Sequence, residues 1–453
     1  MKNDIYELVI EDMTEEGAGI GKADGYPLFI KDTVVGDRVK AVVIKDKKTY
    51  GYGRLLEVLE PSPDRVEPRC PVAGPCGGCQ LQAMSYPAQL EFKRRKVLRN
   101  LTRIGGFSED EIEVLPVIDM DEPWHYRNKA EYPVGRNKAG GIVMGFYAGR
   151  THSIISTEEC FLGQPHDARI LAIVKAWMEE HDVPPYDEKT GSGIVRHVLI
   201  RSSAANGDTM VCLVVNTKKL RYADELAERL RELPEVASVS YNIQQDRGNR
   251  ILGSSVVPVW GPDHITDRIG DLSFRISPLS FYQVNPVQMQ RLYDTAIDFA
   301  GLTGSETVWD LYCGTGTISL SMARHAGRVF GVEIVPAAVE DAKKNAANNG
   351  IENAEFFLGR SEDVLPEYYA RTGERADVIV VDPPRKGCAP ELLDVMIRME
   401  PRRIVYVSCD SATLARDLKI LRAGGYMPQR IQPVDMFSQT VHTEVAVKLS
   451  HEK

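Results

Sequence analysis

From Asn285 onward, short apolar runs alternate with amphipathic segments of helical period, and few architectures accept that alternation. Runs at 307–312, 328–333, 354–358, 376–382, 403–408 and 444–449 read as strands, with helices between most of them. The pattern predicts a parallel sheet covered by helices on both faces. Ligands of such sheets bind at the carboxyl ends of the strands. Chemistry is therefore to be sought at those ends.

At 453 residues the chain exceeds one ordinary domain. Through Glu60 it offers short strands punctuated by glycines, as in Gly17-Ala-Gly-Ile-Gly21, which predicts a small β-barrel. Pro61, Pro63, Pro68, Pro71 and Pro75 then break regular structure and place a boundary near residue 62. A cysteine-rich turn follows, then a helix over 86–104 with Leu90, Val97, Leu98, Leu101 and Ile104 at helical spacing. From Ala130 to about Ile276 strands dominate, with helices near 167–180 and 221–233. The expected organisation is multidomain: a barrel over 1–62, an α+β domain over 63–275 and an α/β, Rossmann-like domain over 276–453. The helix near 90–104 is placed to pack on the last of these.

Acidic residues outnumber basic ones, 64 to 55, for a formal charge of −9. That excludes a protein that coats nucleic acid through bulk charge, though not one with a local basic groove. Eight cysteines are too few for a disulfide scaffold at this length. The start of the chain lacks a basic segment followed by a long apolar one, and no apolar run approaches the ~18–20 residues that span a bilayer. A cytoplasmic, monomeric protein with no membrane partner is expected.

Asp310-Leu-Tyr-Cys-Gly314-Thr-Gly316 joins a strand end to a glycine-rich turn, where missing side chains let a ligand approach the backbone. The dinucleotide fingerprint needs a third glycine, and Ser319 stands in its place. Seventeen residues past Gly316 the next strand ends at Glu333, whose carboxylate suits both hydroxyls of a ribose. The combination fits a nucleoside ligand without pyrophosphate, namely S-adenosylmethionine. A bland turn with a solvent-facing glutamate is the competing reading; loop, spacing and acid together outweigh it.

Asp382-Pro-Pro-Arg385-Lys-Gly387 ends the fourth strand in a rigid turn. Enzymes that methylate exocyclic amines usually place an aromatic after the two prolines, so Arg385 speaks against amine methylation. The fifth strand ends in Ser408-Cys409-Asp410, a thiol at a carboxyl end just before a helix, where a nucleophile belongs. Elsewhere a lone cysteine is more often a small buried hydrophobe. Glu444 opens the last strand on the face opposite Val445, Val447 and Leu449, and by itself reads as a surface carboxylate.

These groups suit methyl transfer to C5 of uracil, a carbon too poorly nucleophilic to attack a sulfonium unaided. A thiolate adding to C6 forms an enolate and activates C5. After methylation a base removes the C5 proton and the thiolate leaves. One cysteine, one base and one cofactor are required, and Cys409, Glu444 and the Gly314/Glu333 pocket are suited to supply them.

With these motifs, and with Phe281-Tyr-Gln283-Val-Asn285 and His442-Thr-Glu444, the chain resembles the bacterial RNA uracil-5-methyltransferases over nearly its full length. It is most similar to their 23S ribosomal RNA branch, which carries an N-terminal TRAM domain and an iron–sulfur cluster. The resemblance implies that Gln283, Tyr312, Glu333 and Asp382 contact S-adenosylmethionine, that Cys409 is the nucleophile and that Glu444 is the base. Cys70, Cys76, Cys79 and Cys160 offer four thiolates; on spacing alone these suit zinc or an iron–sulfur cluster. The resemblance implies a four-iron, four-sulfur cluster with a structural or RNA-positioning role. Cys212 reads as core, Cys313 as a small residue in the cofactor loop, and Cys388 has no evident place.

Two basic stretches, Lys93–Arg103 and the aromatic-laced Trp124–Lys129, are the expected RNA path. The target is expected to be an unstacked uridine in a loop or remodelled helix. One rival is the transfer-RNA enzyme, whose relatives commonly lack barrel and cluster. Another is a non-catalytic RNA-binding iron–sulfur protein, which an intact Cys409 and Glu444 disfavour.

Overall fold

The computed structural model describes residues 2–149, 151–157 and 159–451. Five strands close into a barrel: Ile5–Met13, Gly19–Ala23, Tyr26–Ile30, Arg38–Asp46 and Gly51–Glu60. Alternate residues, among them Leu8, Ile10, Leu28, Ile30, Val39 and Val43, point inward and fill it. A Cβ at Gly21 would lie 2.8 Å from the Val9 carbonyl oxygen, a backbone atom, so a side chain there would force the paired strands apart.

The central part is a seven-stranded sheet in which Lys129–Arg136, Val195–Ser202 and Thr209–Val215 are neighbours. Helices Asp167–Glu180 and Ala223–Leu230 cover one face, burying Val174, Trp177 and Leu230 against Val198, Ile200 and Leu213.

The C-terminal part is a second seven-stranded sheet. Strands Thr307–Asp310, Arg328–Glu333, Ala354–Leu358, Val378–Val381 and Arg403–Ser408 are parallel. An antiparallel pair, Tyr426–Val434 and Glu444–His451, completes the sheet, with the later strand inserted beside Arg403–Ser408. The edge strand Tyr426–Val434 escapes the sequence pattern because Pro428, Arg430, Gln432 and Pro433 interrupt its apolar alternation; an edge tolerates the prolines.

Two pieces of chain ahead of residue 276 pack into this C-terminal body. The hairpin of Ile265–Ile269 and Leu272–Ile276 shares a core with Met289 and Val308, so the body begins before 276. Helix Tyr86–Arg103 buries Val97 and Leu101 with Leu414, Leu418 and Ile431. Beyond it, Val114 and Ile118 bridge the outer edge of Tyr426–Val434.

Lys93 anchors that helix. Its buried ammonium pairs with the buried Asp435 and donates to the Phe437 carbonyl at 2.9 Å. Tyr86 donates to the other Asp435 oxygen at 2.8 Å. Further along, Arg94 donates to the Val114 carbonyl at 3.1 Å and Lys96 to the Val441 carbonyl at 3.1 Å, while Arg99 pairs with Asp12 of the barrel at 3.3 Å. Three of the six cations of this stretch, Lys93, Lys96 and Arg99, thus tie the helix to the C-terminal body and the barrel, and fully buried Lys93 is no part of an RNA face. Among the described residues no helix is long and apolar enough to cross a membrane.

Asp435→Ala strands the buried ammonium and is expected to cost about 3–5 kcal/mol. The Lys93→Met/Asp435→Leu double variant is expected to recover most of that loss. Urea denaturation of the parent and both variants checks the order.

Candidate active site

In sheet order, the strand ends Glu333, Asp310, Asp382 and Cys409 stand side by side at the carboxyl edge. The last strand runs antiparallel to its neighbour, with Val445 opposite Ser408. Its first residue, Glu444, therefore arrives at that same edge beside Cys409.

The glycine loop and Glu333 are already linked. Gly314 N–H donates to Glu333 Oε2 at 3.1 Å, and Val335 N–H to Oε1 at 2.9 Å. Gly314 and Gly316 hold φ of 53° and 83°, a region that disfavours side chains. Ser319, where a dinucleotide site would have glycine, donates to buried Asp310 at 2.6 Å and fixes that acid at its strand end. Tyr312 donates its N–H to Asp310 at 3.4 Å, and its ring packs on the core cluster that contains Cys388. Gln283 is half-buried ahead of helix Pro286–Ala300, its carbonyl accepting from Asn128 Nδ2 at 3.1 Å. No hydrogen bond among the described residues joins Gln283 or the Tyr312 ring to Glu333, Asp382 or Cys409.

Burial raises these acids, and each acid raises the next. Asp310 is pushed up to about 6 by burial. Asp382 goes to about 7, through burial and then Asp310. Glu444 goes to about 8, through burial and then Asp382, with Arg385 opposing. Cys409 is pushed up to about 11 by burial, then by Glu444 and Asp382, again with Arg385 opposing. Glu444 is thus a buried acid, not a surface carboxylate. Arg385 is the cation that acts on both it and the thiol. Asp410 caps the helix after Cys409, accepting from the Ala412 and Thr413 N–H groups at 3.0 and 2.9 Å. His442 is held down to about 4 by burial and by Arg385, Lys96, Lys93 and Arg127.

Cys388 now has a place. Its N–H donates to buried Asp417 at 2.9 Å, and Asp417 also accepts from Tyr406 at 2.6 Å and pairs with Arg416. The network fastens the Asp382–Gly387 turn to helix Ser411–Ala423. No motif marks Asp417 in sequence. Lys93 did leave a signal, lying four residues from both Gln89 and Val97 on the buried stripe of its helix.

Cys79 is pushed up to about 12 by burial and then by the charges of Cys160, Cys76 and Cys70, so the four thiols lie within electrostatic reach of one another. Cys79 and Cys160 pack on one apolar cluster with Met120, Tyr126 and Leu162. All four are free thiols. Among the described residues no three His, Cys, Asp or Glu side chains close to a metal-holding geometry. The turn is tied to the strand-end row: Gln80 and Leu81 both donate N–H to the Gln439 carbonyl at 3.0 Å, five residues before Glu444.

Residues 263–452 match the family model described as tRNA (Uracil-5-)-methyltransferase, and residues 1–56 match the TRAM domain. An RNA methyltransferase of Halalkalibacterium halodurans is 50% identical over 444 residues, which cover 98% of this chain and 96% of that protein. The chain belongs to the RNA uracil-5-methyltransferase family. An RNA methyltransferase of Clostridium tetani is 46% identical over 99% of this chain and 97% of its own length. The crystal structure of Pyrococcus abyssi tRNA (uracil-54, C5)-methyltransferase in complex with S-adenosyl-L-homocysteine matches with a TM-score of 0.79 at 26% identity, over 98% of this chain and 99% of that one. A tRNA enzyme thus shares this family member's architecture over almost its whole length. The barrel alone does not separate ribosomal from transfer-RNA relatives.

The raised pKa of Glu444 makes folding pH-dependent. Unfolded, the carboxyl ionises near its ordinary value of 4.5; folded, it holds its proton up to about 8. Its favourable contribution is present below 4.5 and lost as pH rises through 8. Glu444→Gln, which has no such proton to lose, is expected to gain melting temperature over the parent progressively between about pH 5 and pH 9, read by calorimetry.

Proposed function

We propose that this family member transfers the methyl group of S-adenosylmethionine to C5 of a uridine in 23S ribosomal RNA, through a covalent bond between Cys409 and C6. The observation that carries the reading is the strand register that sets Glu444 beside Cys409, at the edge where Glu333, Asp310 and Asp382 also stand. Bound S-adenosylmethionine supplies an electrophilic methyl on a cationic sulfonium. Gln283, Tyr312, Glu333 and Asp382 would hold it, and the raised acids Asp310 and Asp382 are suited to a cationic neighbour.

Cys409 Sγ attacks C6 as the thiolate, its proton first lost to solvent; Arg385 opposes the burial and the acids that push the thiol up to about 11. The C5–C6 pair gives up its double bond, and C5 becomes the nucleophile that accepts the methyl. Glu444 then takes the C5 proton as a carboxylate; the double bond re-forms and the sulfur leaves as thiolate. With a pKa near 8, the ionised fraction of Glu444 that serves as base grows as pH rises through neutrality.

Cys70, Cys76, Cys79 and Cys160 would hold a four-iron, four-sulfur cluster. Half-buried thiols, of which Cys76, Cys79 and Cys160 are raised by burial and by the thiols beside them, are a donor set that coordination relieves, because metal binds the thiolate. The tie from Gln80 and Leu81 to Gln439 supports a structural role. This cysteine set supports the ribosomal substrate. A transfer-RNA substrate is the second reading, favoured by the whole-length likeness to the Pyrococcus abyssi enzyme. Either way the protein works in the cytoplasm as a monomer, with RNA as its partner.

Mass-spectrometric mapping of 5-methyluridine after incubation with unmodified ribosomal and transfer RNA separates the two substrates. RNA carrying 5-fluorouridine at the mapped site is expected to trap a covalent adduct, absent in Cys409→Ala; an undiminished adduct there overturns the nucleophile. Glu444→Gln is expected to methylate once and stall on the RNA, read as a persistent covalent complex. Anaerobically purified protein is expected to carry about four iron and four sulfide per chain, lost in Cys79→Ser.

A further inference from the structure

A cavity of about 390 Å³ opens between the central sheet and the start of helix Pro286–Ala300. None of Gly314, Glu333, Asp382, Cys409 or Glu444 lines it, so it is separate from the strand-end row. One wall is the half-buried Trp124. The Arg69 guanidinium stacks 5.3 Å from that ring and 4.7 Å from Phe161, steadying the indole. Next to it His125 is held at φ 52°, with its N–H on the Phe161 carbonyl and its ring Nδ1 at the Gly163 carbonyl, both at 2.8 Å. Backbone strain of this kind costs about 1–3 kcal/mol and survives only where the surroundings over-determine it.

The polar lining is one-sided. Asn128 donates its amide N–H to the Gln283 carbonyl at 3.1 Å; Gln164 donates to the His125 and Arg127 carbonyls at 2.8 and 2.9 Å. Gln288 donates to the Ile118 and Asp435 carbonyls at 3.2 and 3.1 Å. Those bonds set the amide orientations and leave the three side-chain oxygens as the groups without a partner among the described residues. Gln288 is fully buried, and its Oε1 has no partner. Leaving such an acceptor unpaired costs about 1–3 kcal/mol. Glu122, the Ser202 and Ser203 side chains, Asn285, and Asp121 in its pair with Arg291 at 2.6 Å also line it. The cavity therefore suits a flat, uncharged ligand that brings N–H donors and has an aromatic face.

We propose that this cavity receives a second nucleobase of the RNA substrate, one carrying an exocyclic amino group, unstacked from the neighbourhood of the target uridine. Such a base stacks on Trp124 and donates to the amide oxygens, whereas Glu122 repels a phosphate and uracil has no exocyclic amine to offer. The inference rests on reading the chain as an RNA uracil-5-methyltransferase and adds a second point of recognition. One base goes to Cys409, and its neighbour in the cavity selects which uridine that is.

The test uses the full chain and the RNA fragment that contains the methylated uridine. Affinity and single-turnover methylation rate are measured with an abasic site at each flanking position in turn, for the parent, Trp124→Ala and Val287→Trp. Val287 lines the cavity and is 59% exposed, so added bulk there plugs the space without disturbing the core. One abasic position is expected to weaken binding to the parent about tenfold. Each variant is expected to weaken intact RNA by a similar factor and to show no further loss with the abasic RNA, while the rate from the saturated complex is unchanged. Uracil at that position, which still stacks on Trp124 but has no amino group, is expected to bind between the abasic site and the amino-bearing base. Additive losses, or affinities that neither variant changes, overturn the second base site. Parent protein that methylates no RNA removes the underlying reading instead, and the affinity series still scores the cavity separately.

Discussion

The pairing of Lys93 with Asp435 in the protein interior is what the arrangement of the three parts depends on. Desolvating two ions costs several kcal/mol each, and their attraction offsets this only when the remaining donors and lone pairs are satisfied. Here the Phe437 carbonyl and the Tyr86 hydroxyl complete the shell. Lys93 sits mid-helix and Asp435 directly follows the edge strand, so the pair sets how the helix lies on the sheet. On one flank of the helix Arg99 catches the barrel at Asp12. Ahead of it, the cysteine turn holds the Gln439 carbonyl through two backbone amides. The loop that leads into Glu444 is thereby positioned from outside its own domain.

The second constraint is electrostatic and follows from topology. Parallel strands place their carboxyl ends in one row, so acids at those ends face one another across low-dielectric space. Asp310, Asp382 and Glu444 rise in turn for that reason, and Cys409 rises with them. Arg385 lowers both Glu444 and Cys409, which gives the residue after the two prolines an electrostatic part rather than a stacking one. The turn that carries it is fastened by Asp417 through the Cys388 amide.

Much of the fold was legible because it is locally encoded. Period-two and helical patterns, with glycines at turns, marked the barrel strands and the parallel strands of the C-terminal sheet. The Asp310–Gly316 loop and Glu333 were recognisable because a glycine turn and an acid at a fixed distance are local features. Tyr426–Val434 was missed, since an edge strand with two prolines has no apolar alternation to read. The basic helix was only partly legible, for a different reason. A run of lysines and arginines looks the same whether it faces phosphate or carbonyls and carboxylates of the same chain. The spacing of Lys93 from Gln89 and Val97 was the one sign that a cation lay on the buried stripe.

The sequence by itself determined the class of sheet, the order of its parallel strands in the chain and the chemical groups that stand at their ends. Each of these depends on residues close together along the chain. Only the tertiary structure decided that Glu444 meets Cys409, because that needs the last strand to insert antiparallel beside the fifth parallel one. Only it decided that Glu444 is a buried acid with a raised pKa, and that Lys93, Lys96 and Arg99 of the basic helix form a clasp. Burial and charge proximity are properties of segments brought together across hundreds of residues, and no local pattern encodes them.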